Sequence, residues 1–223
     1  MNPPIKQFFA VYSEFAATVL AIVLIGPVTA HAQTNENKFV TLRFPHGITM
    51  DAPRSWRAVS ADENEVVLTA LQATLDLTGI KRTEKQSVTL LKANPKLQQL
   101  YAYVKLSEKT GEFMDQKASE ITSEAELKKI DETWLADVKK MNQLTGMKIV
   151  EWKGTRKEKI NGKWAIVTEY RREDREGHGP VWCQINAIHL RDRCVTLTLS
   201  FREREEVVLK PVILRMRSSL KIE

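Results

Sequence analysis

The carboxy-terminal half of the chain alternates in a way that leaves few folds open. Val195, Leu197, Leu199 and Phe201 alternate with Thr196, Thr198 and Ser200. A period of two puts each set on its own face of a strand. A strand with one apolar and one polar face belongs in an antiparallel sheet. Three further strand-like segments precede it, at 148–160, 163–172 and 181–190. Asn161-Gly162 between the first two is a strong signal for a two-residue hairpin turn. Gly177-His178-Gly179-Pro180 and Arg191-Asp192-Arg193 supply the next two turns. Consecutive hairpins make a four-stranded antiparallel meander.

Upstream the period changes. Leu127, Ile130, Trp134, Val138 and Met141 fall on one face of a helix, and Gly146 ends it. Ser123 and Glu126 have the spacing of a capping box at its start. Ser60 with Glu63 repeats that spacing ahead of a second helix over 65–78, stopped by Gly79. Short strands are expected at 39–44 and 48–51, around Pro45-His46-Gly47. Pro53 excludes a helix there, and Trp56 is expected to plug the core edge. Further strands are expected at 87–93 and 100–106, a loop at 109–117, and a last helix at 210–220 with Val212, Ile213, Met216 and Leu220 inward. The order predicts an α+β fold, an antiparallel β-sheet flanked by helices, formed by one domain over 39–223.

The amino-terminal stretch sets the compartment. Lys6, an apolar run over 16–25, the Gly26-Pro27 break and Ala30-His31-Ala32 follow the order of a secretory signal. The run is about 10 residues, and a membrane-spanning helix needs roughly 20. The expectation is a signal peptide at 1–32, cut before Gln33, with 33–38 a polar linker and the product periplasmic or secreted. A retained anchor is the alternative, and after cleavage nothing in the chain spans a membrane. The net charge of +6 favours an anionic envelope component or an envelope protein as partner. Nucleic acid is a poor partner in that compartment. The basic residues are also interleaved with acids, as in Arg202-Glu203-Arg204-Glu205-Glu206.

No nucleophile elbow, zinc-protease helix, phosphate loop or calcium loop is present. The expectation is therefore no catalytic residue, no metal site and no cofactor. The mature chain's histidines, His46, His178 and His189, are far apart, two of them in turns. The two cysteines, Cys183 and Cys194, lie on the two arms of one hairpin. With 191–193 as the turn, Cys194 sits opposite Leu190, and Cys183 lies seven residues further along, roughly 23 Å away. A disulfide needs Cα atoms within about 7 Å, so two free thiols are expected. The same register puts His189 on the face away from Cys194.

Two surfaces stand out as binding candidates. Gln184, Asn186, Thr196 and Thr198, with Ser200, read as a polar stripe in mid-sheet that could line a small pocket. Lys153, Arg156, Lys157, Lys159 and Lys163 make a basic hairpin end suited to an anionic partner, or an edge protected by charge. The tryptophans read mainly as core; Trp152, Trp164 and Trp182 fall on neighbouring strands, a spacing open to a cross-strand ladder.

The chain from Phe39 to Leu220 resembles the PsbP-like group, which includes the extrinsic photosystem II protein, a Ran-binding nuclear protein and bacterial DcrB-like envelope proteins. The carrying features are the strand pair leading to Pro53-Arg54-Ser55-Trp56, the long helix with Trp134-Leu135, and Asn161-Gly162-Lys163-Trp164. The closing strand from Cys194 to Phe201 and the segment Leu209-Lys210-Pro211-Val212-Ile213 complete it. The resemblance implies a sheet sandwiched by helices and an accessory, binding or assembly role without catalysis. No metal-binding residue of the photosystem protein and no lipid-attachment cysteine has a match here. The functional expectation is an exported, non-enzymatic binding or assembly-accessory protein of the envelope. The alternative is a small-ligand binder with a pocket between sheet and helix.

Overall fold

A computed structural model describes residues 38–58, 87–96, 100–146, 148–174 and 176–223. The signal segment 1–32, most of the linker and the helix expected at 65–78 lie outside these residues, as does the side chain of Met141.

Ten strands and three α-helices are described. A seven-stranded antiparallel sheet runs in the order β3-β4-β5-β9-β8-β7-β6. Its members are β3 (Trp56–Ala58), β4 (Ser87–Pro95), β5 (Ala102–Thr110), β6 (Ile149–Ile160), β7 (Lys163–Arg172), β8 (Val181–His189) and β9 (Arg193–Arg202). A small sheet is formed by β1 (Phe39–Arg43), β2 (Ile48–Pro53) and β10 (Lys221–Ile222), with β2 in the centre. The helices are α1 (Gln116–Ile121), α2 (Glu124–Thr145) and α3 (Glu206–Ser219).

The meander follows from its turns. Asn161 and Gly162 both take positive φ, 49° and 86°, as a type I′ turn requires, and Ile160 pairs with Lys163 across them. The turn after β8 is one residue tighter than the sequence suggests. Arg191 adopts φ 60°, so Arg191 and Asp192 alone reverse the chain, and the Leu190 amide donates to the Arg193 carbonyl at 2.8 Å. The register therefore shifts by one, and Cys194 faces His189 rather than Leu190.

The capping box forms as expected. Ser123 Oγ accepts from the Glu126 amide, and Glu126 accepts from the Ser123 amide and hydroxyl. The loop expected at 109–117 is instead the end of β5 and a short helix, with Asp115 capping the Ala118 amide at 2.7 Å. The last helix begins four residues earlier than expected and carries Pro211 inside it. Pro211 lies on the solvent face, so the carbonyl that its missing N–H leaves without a helical partner is on the side open to water.

Two cores result. Val195, Leu197, Leu199 and Phe201 of β9, with Val104 and Leu106 of β5, pack under α3 and the small sheet, against Leu209, Ile213, Met216, Ile48 and Met50. On the opposite face Leu127, Ile130 and Trp134 of α2 cover Ile166, Ile185, Ala187 and Cys194. This is the expected α+β arrangement, with the added small sheet sharing one layer with α3. Among the described residues no helix is long and apolar enough to cross a membrane.

Candidate functional site

The two faces of the large sheet differ sharply in chemistry. The α3 face holds the strand carboxylates: Glu108 beside Val195, Glu169 beside Gln184, Glu158 beside Ala165, and Glu151 beside Arg171. On the α2 face, the described strand residues carry no carboxylate. Helix α2 lies over β6, β7 and β8, and the other half of that face is polar.

That polar half is ordered by the register. One row crosses from Lys92 on β4 to Lys105 on β5 and Thr198 on β9. Ala93 pairs with Val104, so the next row sets Asn94 beside Tyr103, which pairs with Ser200. Thr89, Ser107 and Thr196 make the row on the other side of the lysines. Three polar atoms here, Asn94 Oδ1, Tyr103 Oη and Thr198 Oγ1, are shielded from solvent and have no hydrogen-bond partner among the described residues. Lys92 is buried, at 8% exposure. Burial lowers the Lys92 pKa and raises that of Tyr103 well above the usual phenol value. Neighbouring strands lie about 4.8 Å apart and alternate residues about 7 Å along a strand, so the footprint is roughly 10 Å by 7 Å.

The seat borders a second buried group. Arg172 donates from Nη2 to Tyr101 Oη at 2.8 Å and from Nη1 to the Glu173 carbonyl at 2.9 Å. Arg202 pairs with Asp174 at 2.8 Å and also with Glu176, and its guanidinium lies over the Tyr101 ring, 5.2 Å from the centroid. This cluster fixes Tyr101 one row beyond Tyr103 and Ser200, beside Arg202, whose amide donates to its carbonyl at 3.1 Å.

The stripe expected from the sequence is divided. Thr196, Thr198 and Ser200 lie on the polar half just described. Gln184 pairs with Leu199 and Asn186 with Leu197, which puts both on the α3 face. Strands paired directly opposite share their facing, so Gln184 and Asn186 cannot join Thr196 and Thr198. Asn186 is a bracket: Nδ2 donates to the Leu197 carbonyl at 3.0 Å, and Oδ1 accepts from Arg217 Nε of α3 at 2.9 Å. Gln184 Nε2 reaches Glu169 at 3.4 Å. The signal that sequence reading missed was on β4 and β5, where Lys92 and Asn94, and Tyr103 and Lys105, stand two residues apart and alternate with Leu91, Ala93, Ala102, Val104 and Leu106.

The basic hairpin end is divided too. Arg156 pairs with Val167 and Lys163 with Ile160, on the α3 face, whereas Lys157 and Lys159 face the α2 side beside Ile166 and Trp164. Lys157 Nζ donates to the carbonyls of Glu120 and Thr122 at 2.6 and 2.9 Å, closing the end of α1. Lys159 lies over the Trp164 ring, 4.6 Å from its centroid. Arg156 and Lys153 reach Glu169 at 3.2 and 3.7 Å. Most of this charge is answered within the chain.

The tryptophans form no ladder. Trp152 stacks on Tyr170 and is held by Asp131 of α2, Trp164 lies under its lysines, and Trp182 packs on Phe201 on the other face.

Both cysteines are free, as expected, and both are buried, with Cys183 opposite Ser200 and six residues from Cys194 in register. His189 shares a face with Cys194, contrary to expectation, because of the tighter turn. Burial pushes the Cys194 thiol up to about 12 and the His189 imidazole down to about 4. Both shifts oppose transfer of the thiol proton to the ring. Among the described residues no group of three His, Cys, Asp or Glu converges as a metal site would require.

A further concavity of about 340 Å³ opens between β3, β4 and the start of α3, lined by Pro53, Trp56, Pro95, Leu100, Val208 and Pro211 among others. Its lining mixes apolar residues with Ser55 and Lys96, and it is separate from the polar seat.

No family model matches the chain, and no curated protein matches it. Solved structures do. The chain is similar to cyanobacterial PsbP from Synechocystis sp. PCC 6803, at 12% identity, covering 89% of this chain and 100% of that one, with a TM-score of 0.49. It is similar to LpqN, a protein involved in cell envelope biogenesis of Mycobacterium tuberculosis, at 10% identity, covering 82% and 90%, with a TM-score of 0.43. It is also similar to a Pseudomonas aeruginosa protein of unknown function, at 12% identity, covering 83% and 97%, with a TM-score of 0.37. The first of these carries the name of the group that the sequence resembles.

Proposed function

We propose that this chain is an exported, non-enzymatic binding protein of the envelope, and that it seats a small polar ligand on β4, β5 and β9. One observation carries the reading. Asn94, Tyr103 and Thr198 present shielded polar atoms, without a partner among the described residues, on adjacent rows of three neighbouring strands. A buried hydroxyl or amide oxygen without a partner is destabilising by about 1–3 kcal/mol. Three in one patch ask for a cause, and a ligand that completes their hydrogen bonds supplies one.

Export rests on the amino-terminal segment: residues 1–32 read as a signal peptide, and a domain starting near Phe39 then folds outside the cytoplasm. The absence of catalysis is supported by the state of the two thiols and His189, which burial holds neutral. The internal pairing of Lys153, Arg156 and Lys157 weighs against an electrostatic docking patch on the hairpin end and in favour of the ligand seat.

The test is thermal unfolding of the cleaved protein, starting at Gln33, against a panel of sugars, polyols, carboxylic acids and phosphate esters. At 100 times its Kd a ligand stabilises by about 2.7 kcal/mol, a readily measured rise in Tm. At least one class is expected to raise the Tm, and the rise is expected to disappear in the Tyr103→Phe, Thr198→Val double variant. No rise with any class, or a rise that the double variant keeps, overturns the seat.

A further inference from the structure

Helix α3 is apolar on two opposite faces. Leu209, Ile213 and Met216 form its inward row and are buried in the core. A second row, Val207, Pro211, Leu214 and Ser218, is displaced from the first by two residues. Two residues turn a helix by about 200°, so this row looks away from the core. It holds no charged residue. Val207 is 90% exposed, its neighbour Val208 58% and Leu214 41%. Valine and proline are also weaker helix formers than the alanine, glutamate or lysine that suit a merely solvated row. Single exposed apolar side chains need no explanation, but a contiguous set marks a contact surface.

The row runs into the concavity beside β3 and β4. Val207 and Pro211 line it, with Trp56, Leu100 and Lys96. Trp56 is half-buried there, and Lys96 is exposed, as is Arg54 between the lining residues Pro53 and Ser55. The helix itself carries one acid, Glu206, and three bases, Lys210, Arg215 and Arg217. Arg217 is taken up by Glu158 at 2.9 Å and by Asn186. Lys210 pairs with Glu206, and Arg215 lies 3.9 Å from the Phe39 ring centroid and 4.0 Å from Asp51. Both side chains nevertheless stay about half exposed, one on each side of the apolar row. Exposed pairs of this kind hold weakly, so both cations can meet a further anion.

An apolar strip between exposed cations, with an indole at its margin, has the composition of a surface that lies on an anionic bilayer. Valine and leucine enter the acyl boundary, lysine and arginine stay with the phosphates, and tryptophan sits between. A second copy fits less well. Pairing the row about a two-fold axis sets the basic flanks of one copy against those of the other.

We infer that the outer row of α3 and the concavity beside it dock the folded domain on an anionic lipid surface. Val207, Pro211 and Leu214 meet the acyl boundary, and Arg54, Lys96, Lys210 and Arg215 meet the headgroups. The contact is peripheral, because the other face of α3 stays packed in the core. It is independent of the polar seat, which lies on the opposite face of the large sheet and so points away from the bilayer.

The experiment is vesicle co-sedimentation of the cleaved protein, since residues 1–32 bring an apolar run of their own. Vesicles of equimolar phosphatidylcholine and phosphatidylglycerol are compared with vesicles of phosphatidylcholine alone. Binding to the mixed vesicles is expected, weakened by salt, with little binding to the neutral ones. Val207→Glu combined with Leu214→Glu changes only exposed positions. It is expected to weaken binding about tenfold or more, with the circular dichroism spectrum unchanged. Val88→Glu, 58% exposed at the far end of β4, is expected to bind as the wild type does. Absence of binding to the mixed vesicles overturns the inference, as does binding that the double variant keeps. Equal binding to both kinds of vesicle overturns the anionic assignment. A lipid-free dimer in analytical ultracentrifugation that the double variant dissociates also overturns it and gives the row to a second copy.

Discussion

Asn186 makes two buried hydrogen bonds, one to the β9 backbone and one to Arg217 of α3. Replacing it with alanine takes the Nε acceptor from Arg217, which keeps its ion pair with Glu158 at 2.9 Å, and a donor from a strand carbonyl, so Asn186→Ala is expected to lower stability by about 1–3 kcal/mol in chemical denaturation. Thr198→Val removes a hydroxyl that has no partner to lose, and unliganded stability is expected to stay level or rise. The pair of substitutions therefore separates a structural polar group from one held for a ligand. His189 gives a pH-dependent counterpart. It is buried, stacks on Phe113 with centroids 5.9 Å apart, and has its pKa depressed from 6.5 to about 4. The folded state resists protonation that the unfolded state accepts. Its contribution is thus complete above pH 6.5 and is lost as the pH falls towards 4, by up to about 3 kcal/mol. Urea midpoints between pH 7 and 4 should fall in the wild type and fall less steeply in His189→Phe. Equal slopes would mean that other groups govern the acid limb.

At the level of elements, the most legible part of the chain is the one whose signals are local. The capping box at Ser123 and Glu126, the apolar face of α2 and the Asn161-Gly162 turn each depend on residues a few positions apart, and each forms as read. Ser123→Ala removes an acceptor for the Glu126 amide and a donor to its carboxylate. A loss of about 1 kcal/mol and a lower Tm are expected, with ligand binding unchanged. Misreadings came where one backbone angle decided the outcome. Nothing in Arg191-Asp192-Arg193 announces that Arg191 takes the left-handed region, yet that angle fixes which residues face Cys194. The short helix α1 escaped notice because its six residues carry too few positions for a period to show.

For the whole molecule, the strand alternation sorted residues to faces correctly within β9 but did not relate β9 to β8, since that relation is a property of register. Gln184 and Asn186 were therefore grouped with the wrong face. The seat was invisible for a deeper reason. It joins β4 and β5 to β9, across about a hundred residues, and only strand order brings them together. Its individual members, two lysines, a tyrosine, an asparagine and a threonine, are ordinary strand residues until their rows are known.

The position of β9 also bears on how the chain reaches its native state. Strands β6 to β9 pair only with sequence neighbours among themselves, so the meander can close by short loops. Strand β5 must then find β9, with Ala102 against Phe201, and β10 must find β2, with Ile222 against Ile48. Such long-range closures are entropically slow and come late. The two halves of the polar seat are thus joined in a late step of folding. A chain threaded across a membrane amino-terminus first would keep β4 and β5 waiting, edges open, until its final third emerged.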